Sequence, residues 1–212
     1  MDRTFADFFW ELWLEIYMDD SNVHTSKGVM DQQCRETHLF LKVSKCNFEK
    51  EELNFVSSII SKNFVKMDPL KTKAIAHWPT LQKKKDLQSF LGFANYYQHF
   101  IKNFAELALP LNGLTGDVPW EWTADCQKAY EDVKAQFLTN EILAMPNFED
   151  KHKIKCDASY YATGSVLSQF QDRIWKPITF ASWTMSPAQR NYQVYNKELL
   201  TVIPILSRTL VN

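Results

Sequence analysis

The spacing of hydrophobic and polar positions changes several times along this chain, and each change marks an element. Leu12, Leu14, Ile16 and Met18 alternate with Trp13, Glu15, Tyr17 and Asp19. That two-residue period predicts a strand ending in the pair Asp19-Asp20. Asp20 reads as the turn residue, where the chain reverses into Ser21-Asn22-Val23. Upstream, Phe5, Phe8 and Phe9 recur at helical spacing within residues 1–11. Downstream, residues 26–38 are polar and poorly patterned, 39–43 read as a short strand, and the apolar run 55–60 reads as a strand in a hairpin.

Asp68-Pro69 then predicts a helix start, with Asp68 as cap and Pro69 at the first helical position. The helix runs over 70–78 and stops before Pro79. Thr80 marks a second start region, after which Leu87, Phe90, Leu91, Ala94, Tyr97 and Ile101 keep a 3.6-residue period. Pro110, Gly113, Gly116 and Pro119 predict a loop-rich break. A helix over 124–138 turns Ala129, Val133 and Phe137 inward. From Lys153 the texture becomes that of strands, over 154–157, 165–169 and 178–182, and a helix follows from about Pro187. Pro204 interrupts that last helix. The expected fold class is α/β, an α+β mixture, with boundaries near residues 67, 118 and 150.

Composition narrows the class. Hydrophobic content of 45% and aromatic content of 14% are globular values, and the net charge of −1 excludes a global field that would attract nucleic acid or membrane. Any basic patch must be local. Cys34, Cys46, Cys126 and Cys156 are widely spaced, so reduced thiols are expected. His152 near Cys156 does not make a zinc site. The N-terminus does not read as a signal peptide, and no run reaches the roughly 20 apolar residues of a membrane span. An intracellular protein without membrane partners is expected, in cytoplasm or nucleus.

Two places carry candidate chemistry. The Asp19-Asp20 pair at a strand tip fits divalent metal, since carboxylates hold two Mg²⁺ roughly 3.5–4 Å apart in phosphoryl transfer; a solvated turn fits it equally. Asp157 ends a strand, followed by Ala158-Ser159, and Glu198 lies in a later helix. A strand Asp and a helix Glu converging on metal is nuclease chemistry, and hard oxygen ligands suit Mg²⁺. Alternatively Asp157 begins an Asx turn and Glu198 is a surface partner of Lys197. Lys62, Lys66, Lys71, Lys73 and Lys83-Lys84-Lys85 form a local positive stretch, which also reads as a solvated lysine face.

The order of motifs resembles the reverse transcriptase and ribonuclease H region of gypsy-type LTR retrotransposon Pol polyproteins. Tyr17-Met18-Asp19-Asp20 is similar to the polymerase's metal-binding hairpin, and Leu41-Lys42 to Phe48 to the strand after the palm helix. Lys66-Met67-Asp68-Pro69, Trp78-Pro79 and Ser89-Phe90-Leu91-Gly92-Phe93-Ala94-Asn95-Tyr96-Tyr97 resemble the thumb. Trp120 to Lys134 resembles the connection; Cys156-Asp157-Ala158-Ser159, Gly164 to Gln169 and Asn191 to Leu200 resemble the start of ribonuclease H. The resemblance implies a palm remnant over 1–67, a thumb over 68–118, a connection over 119–150 and the first half of a ribonuclease H-like domain over 151–212. It implies RNA-directed DNA synthesis with degradation of the RNA strand, Mg²⁺ held by Asp19, Asp20, Asp157 and Glu198, and a template–primer or RNA–DNA hybrid partner. Lys66, Lys71, Lys73, Lys83, Lys84 and Lys85 would contact that duplex, and Gly92 would let the helix backbone approach it closely.

The departures from the family bear on activity. The upstream Asp of the polymerase, its fingers, and the later Asp residues of the nuclease are not in the sequence, so the rest of a Pol polyprotein is missing and both sites are expected to be inactive alone. Ser21-Asn22 replace aliphatic residues in the second hairpin strand. Residues 25–39 read as shorter than the family's palm helix. Val56-Ser57 replace Leu-Gly in the primer grip, which puts its tight turn in doubt, and Gln98-His99 replace an Arg pair. A non-catalytic nucleic-acid-binding or interaction module, and a decayed remnant, are the competing expectations.

Overall fold

The structure is a computed structural model describing residues 13–17, 20–24, 50–139, 141–147 and 150–210. The expected helix over 1–11, the strand over 39–43, Met18, Asp19, Cys34 and Cys46 lie outside the described residues. Two compact units divide at Ser61/Lys62.

In the first unit, β1 (Trp13–Tyr17) pairs antiparallel with β2 (Asp20–His24), Tyr17 opposite Asp20. Asp20 therefore begins the second strand instead of forming the turn, and Ser21 and Asn22 are accommodated inside it. A second hairpin joins β3 (Glu52–Phe55) to β4 (Ser58–Ser61). The apolar run 55–60 is thus not one strand. Val56 and Ser57 form a two-residue turn with φ of 46° and 63°. Both residues take the left-handed conformation that such hairpin turns need for their twist. The tight turn survives the loss of Gly, at the cost of strain on a β-branched residue.

In the second unit, β5 (Phe64–Met67) pairs with β6 (Ile142–Ala144). Helix α1 (Pro69–Ala76) starts as its sequence predicts: Asp68 Oδ1 accepts from the Leu70 N–H at 2.8 Å, and Pro69 opens the first turn. Helix α2 (Lys84–Tyr96) buries Leu87, Phe90, Leu91 and Ala94. Its period does not extend to Ile101. The helix ends at Tyr97, a 3₁₀ turn occupies Gln98–Phe100, and Ile101 is buried from the segment beyond. Short helices α3 (Phe104–Leu107) and α4 (Leu109–Gly113) follow, so Pro110 lies in a first helical turn and not in a loop. Helix α5 (Ala124–Leu138) matches its predicted bounds and is capped by Thr123, whose Oγ1 accepts from the Cys126 N–H.

One core holds these helices together. Ile75, Leu87, Phe90, Tyr97, Leu111, Val133 and Phe137 are buried in it. Aromatic rings meet edge to face or tilted, Trp78 on Phe90 at 5.7 Å and Phe90 on Tyr130 at 4.8 Å. Such pairs add about 0.5–1.5 kcal/mol each beyond their buried area.

The antiparallel meander β7 (His152–Ala158), β8 (Ala162–Gln171) and β9 (Ile174–Thr184) follows, in the order β7-β8-β9. After α6 (Pro187–Arg190), opened by a Ser186–Gln189 capping box, helix α7 (Val194–Leu210) packs on the meander. Pro204 does not interrupt α7. Ile205, fully buried against Ile154 and Leu167, anchors the turn that the proline weakens. Burial of a side chain of that size returns about 1.5–3 kcal/mol, comparable to the proline's cost of about 3 kcal/mol. Among the described residues, Cys126 and Cys156 are free thiols and no helix is long and apolar enough to cross a membrane.

Candidate nucleic-acid interface and carboxylate sites

The exposed side of α2 is built by subtraction. Leu87, Phe90, Leu91 and Ala94 face the core, which leaves Lys85, Gln88, Ser89, Gly92 and Tyr96 on one stripe facing solvent. Gly92 sits in the middle of it. A Cβ added there would meet no atom within 4 Å. Neither packing nor a left-handed backbone requires glycine at this position.

The lysines differ in availability. Lys83 and Lys85 are exposed at the start of α2. Lys84 is not available: its Nζ donates to the carbonyl oxygens of Gly116 at 2.6 Å and Val118 at 3.2 Å, tying down the loop after α4. Lys66 on β5 lies over the Phe64 ring at 4.9 Å. Lys71 and Lys73 are exposed on α1, but two positions apart on a helix they project from different sides. Three like charges at a helix N-terminus oppose its dipole; Asp86 in the first turn offsets them with its negative charge, and its carboxylate also accepts from the Gln82 N–H at 3.2 Å.

The carboxylates are placed as follows. Asp20 opens β2, and Asp19 lies outside the described residues. Asp157 is exposed near the end of β7, opposite Gly164 of β8. Beside it a small cleft is lined by Asn103, Glu106, Ser159, Ala162, Thr163 and Gly164. Asn103 adopts φ of 54°, and its Oδ1 fills the space a Cβ at Gly164 would take. The Ala105 N–H donates to Ser182 Oγ at 2.9 Å, which seats α3 on the sheet. Glu106 thus faces the cleft of Asp157 although they lie far apart in sequence.

Glu198 does not line that cleft. It is exposed on α7, and α7 covers the sheet face carrying Ile154 and Leu167. Asp157, three positions from Ile154, belongs to the opposite face. Lys197 beside it is buried, so the helix turns the lysine toward the sheet and the glutamate toward water.

Among the described residues no group of three or more His, Cys, Asp or Glu is placed to hold a metal ion. Asp157 and Glu106 offer hard oxygens in one cleft, and Mg²⁺ is commonly held by one or two carboxylates with water and substrate phosphate completing its shell. The described residues place no third carboxylate with them. Sequence reasoning missed Asn103 and Glu106 here; an Asn after a helix break, tolerant of positive φ, was the available local signal.

Comparison with known proteins follows the same line. Residues 122–210 match the RNase H-like domain found in reverse transcriptase. The chain is 37% identical over 173 residues to the retrovirus-related Pol polyprotein from transposon 297 of Drosophila melanogaster, covering 79% of this chain and 16% of that polyprotein. It is 33% identical over 200 residues to the transposon Tf2-3 polyprotein of Schizosaccharomyces pombe, covering 90% of this chain and 15% of the polyprotein. The chain therefore spans about a sixth of these relatives. The foamy viral protease-reverse transcriptase in complex with RNA/DNA hybrid shares the fold, with a TM-score of 0.74 at 18% identity over 99% of this chain and 29% of the other. Its complex with dsDNA gives a TM-score of 0.74 at 19% identity, over 97% and 45%. In its sequence the chain belongs to the reverse transcriptase and ribonuclease H-like region of gypsy-type LTR retrotransposon Pol polyproteins.

Proposed function

We propose that this chain binds an RNA–DNA hybrid or template–primer duplex along the exposed stripe of α2, and that it does not by itself cut or extend nucleic acid. One observation carries the reading. Gly92 occupies the centre of an exposed helix face, with open space around it and no internal reason to be glycine. Glycine there lowers helix stability, and a backbone that must touch another backbone accounts for it. Lys83 and Lys85 at the head of the stripe would supply phosphate contacts, with Lys66, Lys71 and Lys73 peripheral. The structures of the foamy viral enzyme with RNA/DNA hybrid and dsDNA support a duplex as ligand.

Asp19, Asp20, Asp157 and Glu198 are the carboxylates that Mg²⁺-dependent centres would take from this chain. Bound Mg²⁺ would activate a nucleophile and stabilise charge on a phosphate. That no third carboxylate joins Asp157 and Glu106 among the described residues supports inactivity of the chain alone. The test is to titrate purified chain against a labelled blunt hybrid by anisotropy, then to incubate it with Mg²⁺. Salt-sensitive binding without cleavage is expected. Cleavage that disappears in Asp157→Asn would refute inactivity, and binding indifferent to Lys85→Ala and Gly92→Ala would refute the interface.

A further inference from the structure

At the β7–β8 turn two adjacent tyrosines stand in the solvent, Tyr160 60% and Tyr161 45% exposed. Their rings meet edge to face at 4.8 Å. Each holds a cation: the Lys197 Nζ lies 5.6 Å from the Tyr160 ring centre, and the Arg190 guanidinium 5.0 Å from that of Tyr161. The turn is rigid. The Ser159 N–H donates to the Ala162 carbonyl at 2.9 Å, and the Met185 N–H to the Tyr161 carbonyl at 2.8 Å. Arg190 is fixed in turn, its Nε donating to the Met185 carbonyl at 3.2 Å.

Neither cation meets a carboxylate among the described residues. Lys197 is 8% exposed as a whole residue, and its Nζ ends over the face of a ring that is itself largely exposed. A cation in that position is attracted by the ring quadrupole. Arg190 and Lys197 thus place two cations at one tip without a carboxylate partner among the described residues. Exposed aromatic faces with unneutralised cations beside them are what a single strand requires, a surface for a base and charges for phosphates.

We propose that Tyr160, Tyr161, Arg190 and Lys197 form a ledge for a single-stranded segment of nucleic acid, with a base stacked on Tyr160 and phosphates near Arg190 and Lys197. The ledge rests on the nucleic-acid-binding function proposed above, and it extends that function to a second surface with its own substrate form. Tyr160 follows Asp157 by three residues and Lys197 precedes Glu198, so the ledge is carried by the elements that bear both carboxylates.

The test uses the full chain, a labelled 12-nucleotide oligo-uridine and a labelled blunt hybrid, read by anisotropy at two salt concentrations. Tyr160→Ala is expected to weaken oligo-uridine binding about tenfold, the order of one lost base stack, while Tyr160→Phe retains it. Arg190→Gln is expected to lower the salt slope by about one. Both tyrosine changes fall on an exposed side chain, and thermal melts of the variants check the fold. Blunt-hybrid affinity should follow Lys85 and not Tyr160. Absent oligo-uridine binding, or binding equal in wild type, Tyr160→Ala and Arg190→Gln, overturns the ledge. Loss of hybrid binding with oligo-uridine binding intact would instead overturn the α2 interface and leave the ledge standing.

Discussion

Replacing Gly92 by alanine separates what the fold needs from what a ligand needs. The residue lies mid-helix in α2, and an added methyl group meets nothing within 4 Å. Within the protein the change is therefore pure helix propensity. Alanine exceeds glycine by about 0.8–1.0 kcal/mol in a helix interior, because the unfolded chain loses less freedom on folding. For a chain of this size that gain corresponds to roughly 2–4 °C in the thermal midpoint. The same methyl group projects into the space assigned to the duplex backbone, and an affinity loss of about tenfold, or about 1.4 kcal/mol, is expected. Circular dichroism melts measure the first quantity and anisotropy with a blunt hybrid the second. The two effects have opposite signs, so a generally damaged protein cannot imitate them. A variant that is more stable and binds equally well would refute close approach at Gly92. One that is no more stable would refute the open surroundings of the position.

Three further perturbations address other parts of the structure. In the β3–β4 hairpin, Val56→Asn with Ser57→Gly places the residues preferred for two left-handed positions where φ is 46° and 63°. The urea midpoint should rise by an amount corresponding to about 1 kcal/mol or more, and an unchanged midpoint would show that the turn is unstrained. Burial raises the pKa of Tyr130, whose hydroxyl donates to the carbonyls of Trp78 at 3.1 Å and Pro79 at 3.2 Å. The unfolded chain, with its ordinary value near 10.0, releases this proton first. This contribution to stability is therefore full below pH 10 and falls as pH rises further. Tyr130→Phe should cost about 0.5–1.5 kcal/mol at neutral pH and remove that part of the alkaline loss, as followed by urea titration across pH. Lys84→Met should speed proteolysis within residues 113–119 and leave the salt slope of duplex binding unchanged, whereas Lys85→Ala should lower it by about one.

The elements that were legible from sequence are those whose signals are local. Asp68-Pro69 marks one helix start, and the pattern over 124–138 gives the bounds of α5, whose Thr123 cap the structure adds. The three strands after Lys153 were each found, though too short, because their ends lie in hairpins whose pairing extends the ladder beyond the apolar centre. Local signals failed where tertiary packing outweighed them. Pro204 reads as a break, yet burial of Ile205 carries α7 through it. Ile101 keeps the helical period with Leu87 and Phe90, but it reaches the same core from a separate segment. Val56-Ser57 sits inside the run 55–60 that reads as one strand, and the register of β3 on β4 shows that it keeps the turn which the family resemblance implies there.

The candidate sites divide in the same way, and this bears on which carboxylates can act together. Asp157 and Glu198 were paired because each sits in a recognisable motif. Motifs specify neighbours along the chain, not partners across a sheet. The residue that shares a cleft with Asp157 is Glu106, brought there by the left-handed Asn103 wedged at Gly164 and by the bond from the Ala105 N–H to Ser182. Two carboxylates that share a small cleft repel when both are ionised, and a bound cation relieves this. Glu198 is exposed on α7 and is not among the residues that line this cleft. Lys197, which lies over the Tyr160 ring, and Glu198 are consecutive on α7, so the proposed ledge and Glu198 share the first turns of that helix.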